Sequence, residues 1–342
     1  MLRLNPMFSD HMVLASDKPI RVFGEGEGEI CVRMAGREAL VRAENGHFLA
    51  QLEGMECGGP YEMRVRSGSE EVVLRDVHIG RVYLYCGQSN MQLPLNQSDF
   101  DLSGCRDEER LRFFTAHSVL GELPFTPENG WMLSRAVDAP HRSALAYISG
   151  MELAGKGCSV VGAVCACQGG SVIESWMPSG LPERIGAALA PEDKYKDPCR
   201  REWWNEGGEL YGHVLLPLFP FSLSGIIWYQ GESNAREAEG RIYGRQLGAL
   251  IEQWRADFMD EELPVIIVQL PCFARCASKE GWAMVQQAQQ DVSVRYDHVY
   301  TVMSRDLCES TQIHPVKKQA LALRIARALE DIPSSDGKEV IS

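Results

Sequence analysis

The chain has 342 residues, 45% hydrophobic and 24% charged, a mix that excludes wholesale disorder and a membrane-spanning chain. Its 47 acidic residues outnumber 34 basic ones, giving a net charge of −13. That balance argues against a nucleic-acid partner and against docking on anionic membranes.

The N-terminus, Met1-Leu2-Arg3-Leu4-Asn5-Pro6, holds no apolar leader core, and the 11 cysteines are odd in number and scattered, with no CxxC pair. Both features point to reduced thiols and a cytoplasmic location. Residues 1–75 carry short alternating runs at 20–23, 29–34, 40–43, 47–52, 61–65 and 71–74. Glycine, asparagine and proline turns separate them, as at 24–28 and 58–60. Short, closely spaced strands with such turns predict a small N-terminal β-sandwich.

From 76 to 342 the rhythm changes. Apolar runs at 82–86, 111–116, 160–166, 225–229, 265–270 and 299–303 are near-continuous, as buried parallel strands require. Helical patterns fall at 144–156, 243–258, 283–292 and 316–329, the last repeating Leu321, Ile325, Ala328 and Leu329 at three- and four-residue spacing. Strand–helix alternation predicts an α/β fold, a doubly wound parallel sheet forming a second, larger domain. The charged stretch 178–209 reads as a long loop or small insert.

In an open α/β sheet chemistry gathers where strands end. After 82–86 comes Gly87-Gln88-Ser89-Asn90, a serine on a strand-to-helix turn near helix amides that can stabilise an oxyanion. The same Ser89 or Asn90 would equally serve as a helix N-cap. After 160–166 come Gln168-Gly169-Gly170-Ser171 and Glu174, where glycines can offer unencumbered N–H groups, or make a plain turn. After 225–229 comes Gln230-Gly231-Glu232-Ser233-Asn234, with two amides and a carboxylate on one loop. After 299–303 the chain passes Asp306 to Ile313-His314-Pro315 and the last helix. Ser89 needs a base, and His314 is a suitable one. Together they imply acyl transfer. No HxH or HExxH spacing calls for a metal, and no cofactor is implied.

These four motifs, in VYLYCGQSNMQLPL, CQGGSVIESWMP, IIWYQGESNA and IHPVKKQALALRIA, resemble the sialate O-acetylesterase family of the SGNH hydrolase superfamily. The resemblance runs in order across nearly the whole chain, including MFSDHMVL, DKPIRVFGEGE and LPVIIVQLPCF. It implies a flavodoxin-like catalytic sheet and an esterase removing O-acetyl groups from a small sugar or oligosaccharide. By motif, Ser89 would be nucleophile and His314 base. The oxyanion hole would use N–H groups of Ser89 and of Gly169 or Gly170, with the Gln230 side chain. Gln88, Asn90, Glu174, Glu232 and Asn234 would line or support the site. Relatives place an acid shortly before the histidine, where this chain has Thr311 and Gln312. Asp306 is then the orienting acid named first, with Glu309, Gln312 or a backbone carbonyl as alternatives.

Substrate classes compatible with the family are acetylated sialic acid and acetylated xylan or other oligosaccharides. Trp176, Trp203 and Trp204 would stack on a sugar or pack in the core, and Arg200 or Arg201 would clamp a carboxylate. A binding protein without catalysis is the rival reading, motivated by the missing acid and the front β-strands. A scaffold protein is a third.

Overall fold

The computed structural model describes residues 1–116, 130–156, 160–194, 202–307 and 311–332. The N-terminal strands are β1 (Arg3–Leu4), β2 (Val13–Ala15), β3 (Ile20–Glu25), β4 (Glu29–Met34), β5 (Arg37–Arg42), β6 (His47–Leu52), β7 (Gly58–Ser67) and β8 (Glu70–Gly87). β1, β3 and β6 form a three-stranded antiparallel sheet. β5, β4 and β7 pair antiparallel in that order, and β7 pairs antiparallel with the first part of β8.

β8 corrects one expectation. The runs predicted at 71–74 and 82–86 are one strand, and the boundary expected between residues 75 and 76 falls inside it. The change of rhythm at residue 76 suggested a break, but Asp76 is tied down. Its carboxylate meets His11 Nδ1 at 2.6 Å, His78 Nε2 at 3.1 Å and the buried Arg112 guanidinium at 3.1 Å. The burial of β8 alternates at first and becomes continuous at its end. One strand thus serves a one-faced antiparallel sheet and then a two-faced parallel one.

After β8 come α1 (Ser89–Gln92), β9 (Glu108–Thr115), β10 (Met132–Ser134), α2 (Ala144–Gly155), β11 (Val161–Cys167), α3 (Leu181–Arg184), α4 (Pro191–Lys194) and β12 (Gly225–Tyr229). They are followed by α5 (Glu237–Asp257), β13 (Val265–Val268), α6 (Lys279–Arg295), β14 (Val299–Val302) and α7 (Lys318–Asp331). The large mixed sheet runs β10-β9-β11-β8-β12-β13-β14, and all but β10 are parallel along this path. α2 packs with α7, and α5 with α6. The expected helices are all present, although α5 begins at Glu237 rather than 243. β12, β13 and β14 are wholly buried, as their apolar runs required.

The strand order matters for the site. β8 lies between β11 and β12, so the chain winds away from it in both directions. Ligands bind at such a switch point, outside the carboxyl ends of the strands. In register, Cys167 of β11 and Tyr229 of β12 both stand opposite Gly87, the last residue of β8. Three of the polar motifs therefore leave the sheet side by side.

Candidate active site

Gly87 makes the first turn possible. Its φ is +145°, and a Cβ there would lie 2.1 Å from the Tyr229 carbonyl oxygen. The chain then enters α1 at Ser89, with Gln88 in the extended cap position. No side chain caps α1, so Ser89 does not play the structural role open to it in the sequence. Its Oγ instead meets His314 Nε2 at 2.8 Å. The two residues lie 225 positions apart and are brought together by the loop that leads into α7.

The loop after β12 is stitched to the serine turn. Gln88 Oε1 accepts from the amides of Gly231 (3.3 Å) and Ser233 (3.4 Å), and Gln88 N donates to Tyr229 O. Asn90, fully buried, donates from Nδ2 to Glu232 Oε1 (2.6 Å) and to the Ile313 carbonyl (2.9 Å). Its Oδ1 accepts from Lys318 Nζ at 2.7 Å. Asn234 donates to Glu174 and accepts from the Ile173 amide, which fixes the loop after β11.

Gly169 lies against the serine, since a Cβ built on it would sit 3.6 Å from Ser89 Cβ. Its N–H, however, donates to Gln92 Oε1 at 2.9 Å. Among the described residues no partner takes the amide hydrogens of Ser89 or Gly170. Asn205 holds the turn, donating to Gly170 O and accepting from Val172 N.

Two of the residues expected at the reaction centre stand elsewhere. Gln230 is fully buried, and both its amide hydrogens are engaged, by Ser171 O (3.0 Å) and Asn234 Oδ1 (2.8 Å). Its Oε1 accepts from Tyr243. As placed, it has no N–H to offer an oxyanion and acts as a girder between two loops. Asp306 is gripped by Arg324 through two hydrogen bonds and does not bond His314. That guanidinium holds the Asp306 carboxyl down at about 2. Gln312 is exposed, and Glu309, Arg200 and Arg201 lie outside the described residues. Trp176 is a core residue, edge-on to Trp228 at 5.8 Å, whereas Trp203 is half exposed.

The electrostatics are set by burial. Although His314 is solvent-exposed, the protein around its ring desolvates it and Lys318 repels its charge; both lower its pKa. Burial pushes the Glu232 carboxyl up to about 7, against the hydrogen bond from Asn90. Lys318, 1% exposed, is pushed down to about 8 by burial, against the opposing pull of Glu232 and Asp99. The sequence reading missed Lys318. The signal was present, because Lys318 sits three residues before Leu321 and seven before Ile325, on the apolar stripe of α7. Asn205 and Gln92 carried no such signal. Among the described residues no cluster of histidine, cysteine and carboxylate side chains could hold a metal ion.

Residues 79–329 match the profile of the sialic acid-specific acetylesterase family of carbohydrate esterases. The chain is similar to the sialate O-acetylesterase of Homo sapiens, 26% identical over 331 residues, covering 84% of this chain and 61% of that one. It is equally similar to that of Pongo abelii, 26% identical over 342 residues, covering 86% and 64%. It thus spans less than two thirds of the length of these relatives. The crystal structure of a carbohydrate acetylesterase from Xanthomonas citri superimposes with a TM-score of 0.83 at 30% identity, covering 96% of this chain and 75% of that one. The chain belongs to the sialic acid-specific acetylesterase family of carbohydrate esterases.

Proposed function

We propose that this chain is a serine esterase that removes O-acetyl groups from sugars through an acetyl-enzyme on Ser89. The observation that carries the reading is the 2.8 Å contact between Ser89 Oγ and His314 Nε2 at the switch point of the sheet. His314 takes the Ser89 proton as Oγ attacks the acetyl carbonyl carbon. The negative charge that develops on the carbonyl oxygen meets the N–H groups of Ser89 and Gly170, each such donor being worth about 2.7–4 kcal/mol. The imidazolium returns its proton to the departing sugar oxygen. Water, deprotonated by His314, then attacks the acetyl-enzyme, the bond from the acetyl carbon to Ser89 Oγ breaks, His314 returns the proton to Oγ and acetate leaves.

No carboxylate bonds the second nitrogen of His314 among the described residues. Such an absence lowers a rate and leaves nucleophile, base and oxyanion donors in place. The N-terminal strands, up to the first part of β8, are read as a small sandwich joined to the catalytic sheet through β8.

Acetylated sialic acid is the substrate that the family's name indicates. The test is acetate release from acetylated sialic acid, acetylated xylan and simple sugar acetates, by wild type and Ser89→Ala. Release by wild type alone supports the reading and ranks the substrates; equal release by both proteins refutes it.

A further inference from the structure

The buried lysine is the part of the site that hydrolysis does not explain. Lys318 is the first residue of α7, and among the described residues no carboxylate oxygen comes within 4.0 Å of its Nζ. A buried ammonium is expensive unless paired. This one meets an amide oxygen, Asn90 Oδ1 at 2.7 Å, and the face of Tyr229, 5.3 Å from the ring centre. The position is built from both sides, by the turn after β8 and by the end of β12.

Asn90 shows what the arrangement fixes. It follows Ser89 in the chain, and the carbonyl that it grips belongs to Ile313, which precedes His314. One side-chain amide therefore joins the nucleophile's turn to the base's loop. Its remaining bonds go to Glu232 and Lys318, so neither its oxygen nor its nitrogen can swing away without losing a buried partner.

We propose that Lys318 is a positioning residue for the reaction: bound to Asn90, which also holds the carbonyl before His314, it locks the Ser89 turn against the His314 loop and keeps a positive charge near the imidazole. The inference rests on the serine–histidine reading above. The charge has a chemical consequence. A cation near His314 disfavours imidazolium, so the ring stays neutral, and able to accept the serine proton, at more acidic pH. The groups that face Lys318 are Glu232 and Asp99, with Tyr229 beneath; those that face His314 are Ser89 and Lys318. Glu232 faces Asn90 and Lys318.

The experiment is kcat/KM against pH for a chromogenic acetate, with wild type, Lys318→Met, Lys318→Arg and Ser89→Ala, folding being checked by thermal melts. Lys318→Met keeps the length of the side chain and removes the charge. Its acid limb should move to higher pH by about half a unit or more, with kcat reduced and KM little changed, and Lys318→Arg should restore the limb. An unmoved limb, or equal shifts in both variants, overturns the proposal. If Lys318→Met does not fold, Lys318→Gln takes its place: it removes the charge and keeps a polar end beside Asn90, and an acid limb left where wild type has it overturns the proposal. Full activity in Ser89→Ala would remove the serine–histidine reading itself. An inactive Ser89→Ala with an unmoved Lys318→Met limb removes the lysine's role alone.

Discussion

Arg324 grips Asp306 with two hydrogen bonds, 2.7 and 2.6 Å long, and so withholds from His314 the carboxylate that stands nearest before it among the described residues. The pair joins the loop after β14 to α7. Its energetics are modest because Asp306 is 60% exposed. Asp306→Asn should cost about 0.2–1 kcal/mol of stability and lower kcat by less than about tenfold, whereas loss of a true orienting acid costs about 10⁴. A chemical-denaturation curve and a kcat measurement on one variant read both.

The pH dependence follows from His314. Its pKa is lowered by desolvation and by Lys318. Sign matters here: the folded protein binds a proton at this site less readily than the unfolded chain, so stability contributed by the neutral ring falls as pH drops below ~6.5. Activity should persist below that pH, because the base remains neutral. A pH–rate profile with an acid limb below ~6.5 agrees; one at or above it does not.

Gln230 should behave as a girder. Gln230→Met leaves the carbonyl of Ser171, the Asn234 oxygen and the Tyr243 hydroxyl short of a partner in the interior. The Asn234 oxygen keeps the Ile173 amide and the Tyr243 hydroxyl keeps the Gln230 backbone carbonyl, so the Ser171 carbonyl loses most; one buried group left unpaired costs about 1–3 kcal/mol, so the melting temperature should fall. An oxyanion donor would give the opposite pattern, a loss in kcat of about 10²–10³ with stability kept.

Gly87→Ala tests the turn that presents the serine. The new Cβ would press on the Tyr229 carbonyl at 2.1 Å, in a backbone conformation that side chains avoid. The variant should be poorly soluble or strongly destabilised, which expression yield and circular dichroism would show.

Much of this was legible in the sequence because it is written in local pattern. Continuous apolar runs marked the parallel strands, and polar clusters just after them marked the loops at one end of the sheet. The pairing of Ser89 with His314 was inferred from chemistry and order, and the two residues do meet. What the sequence could not show is where a long side chain points. Gln230 carries the right amide and turns it inward; Asp306 carries the right acid and gives it to a helix residue 18 positions on. A strand that passes from one pairing to another is hidden for a similar reason, since the change of rhythm at residue 76 looked like a break, and of the three groups that hold Asp76 within the strand, His11 and Arg112 lie far off in sequence. Lys318 was readable in principle, as a charge on an apolar stripe.

The central claim, an acetyl-enzyme on Ser89 made by His314, is tested most directly by trapping. Wild type, Ser89→Ala and His314→Ala are treated with a fluorophosphonate and digested, and hydrolysis of a chromogenic acetate is followed in parallel. The account predicts an adduct on the peptide containing Ser89 in wild type, none in Ser89→Ala, and rates at least about 10³-fold lower in both variants. An adduct on another serine, or undiminished hydrolysis by Ser89→Ala, would contradict it.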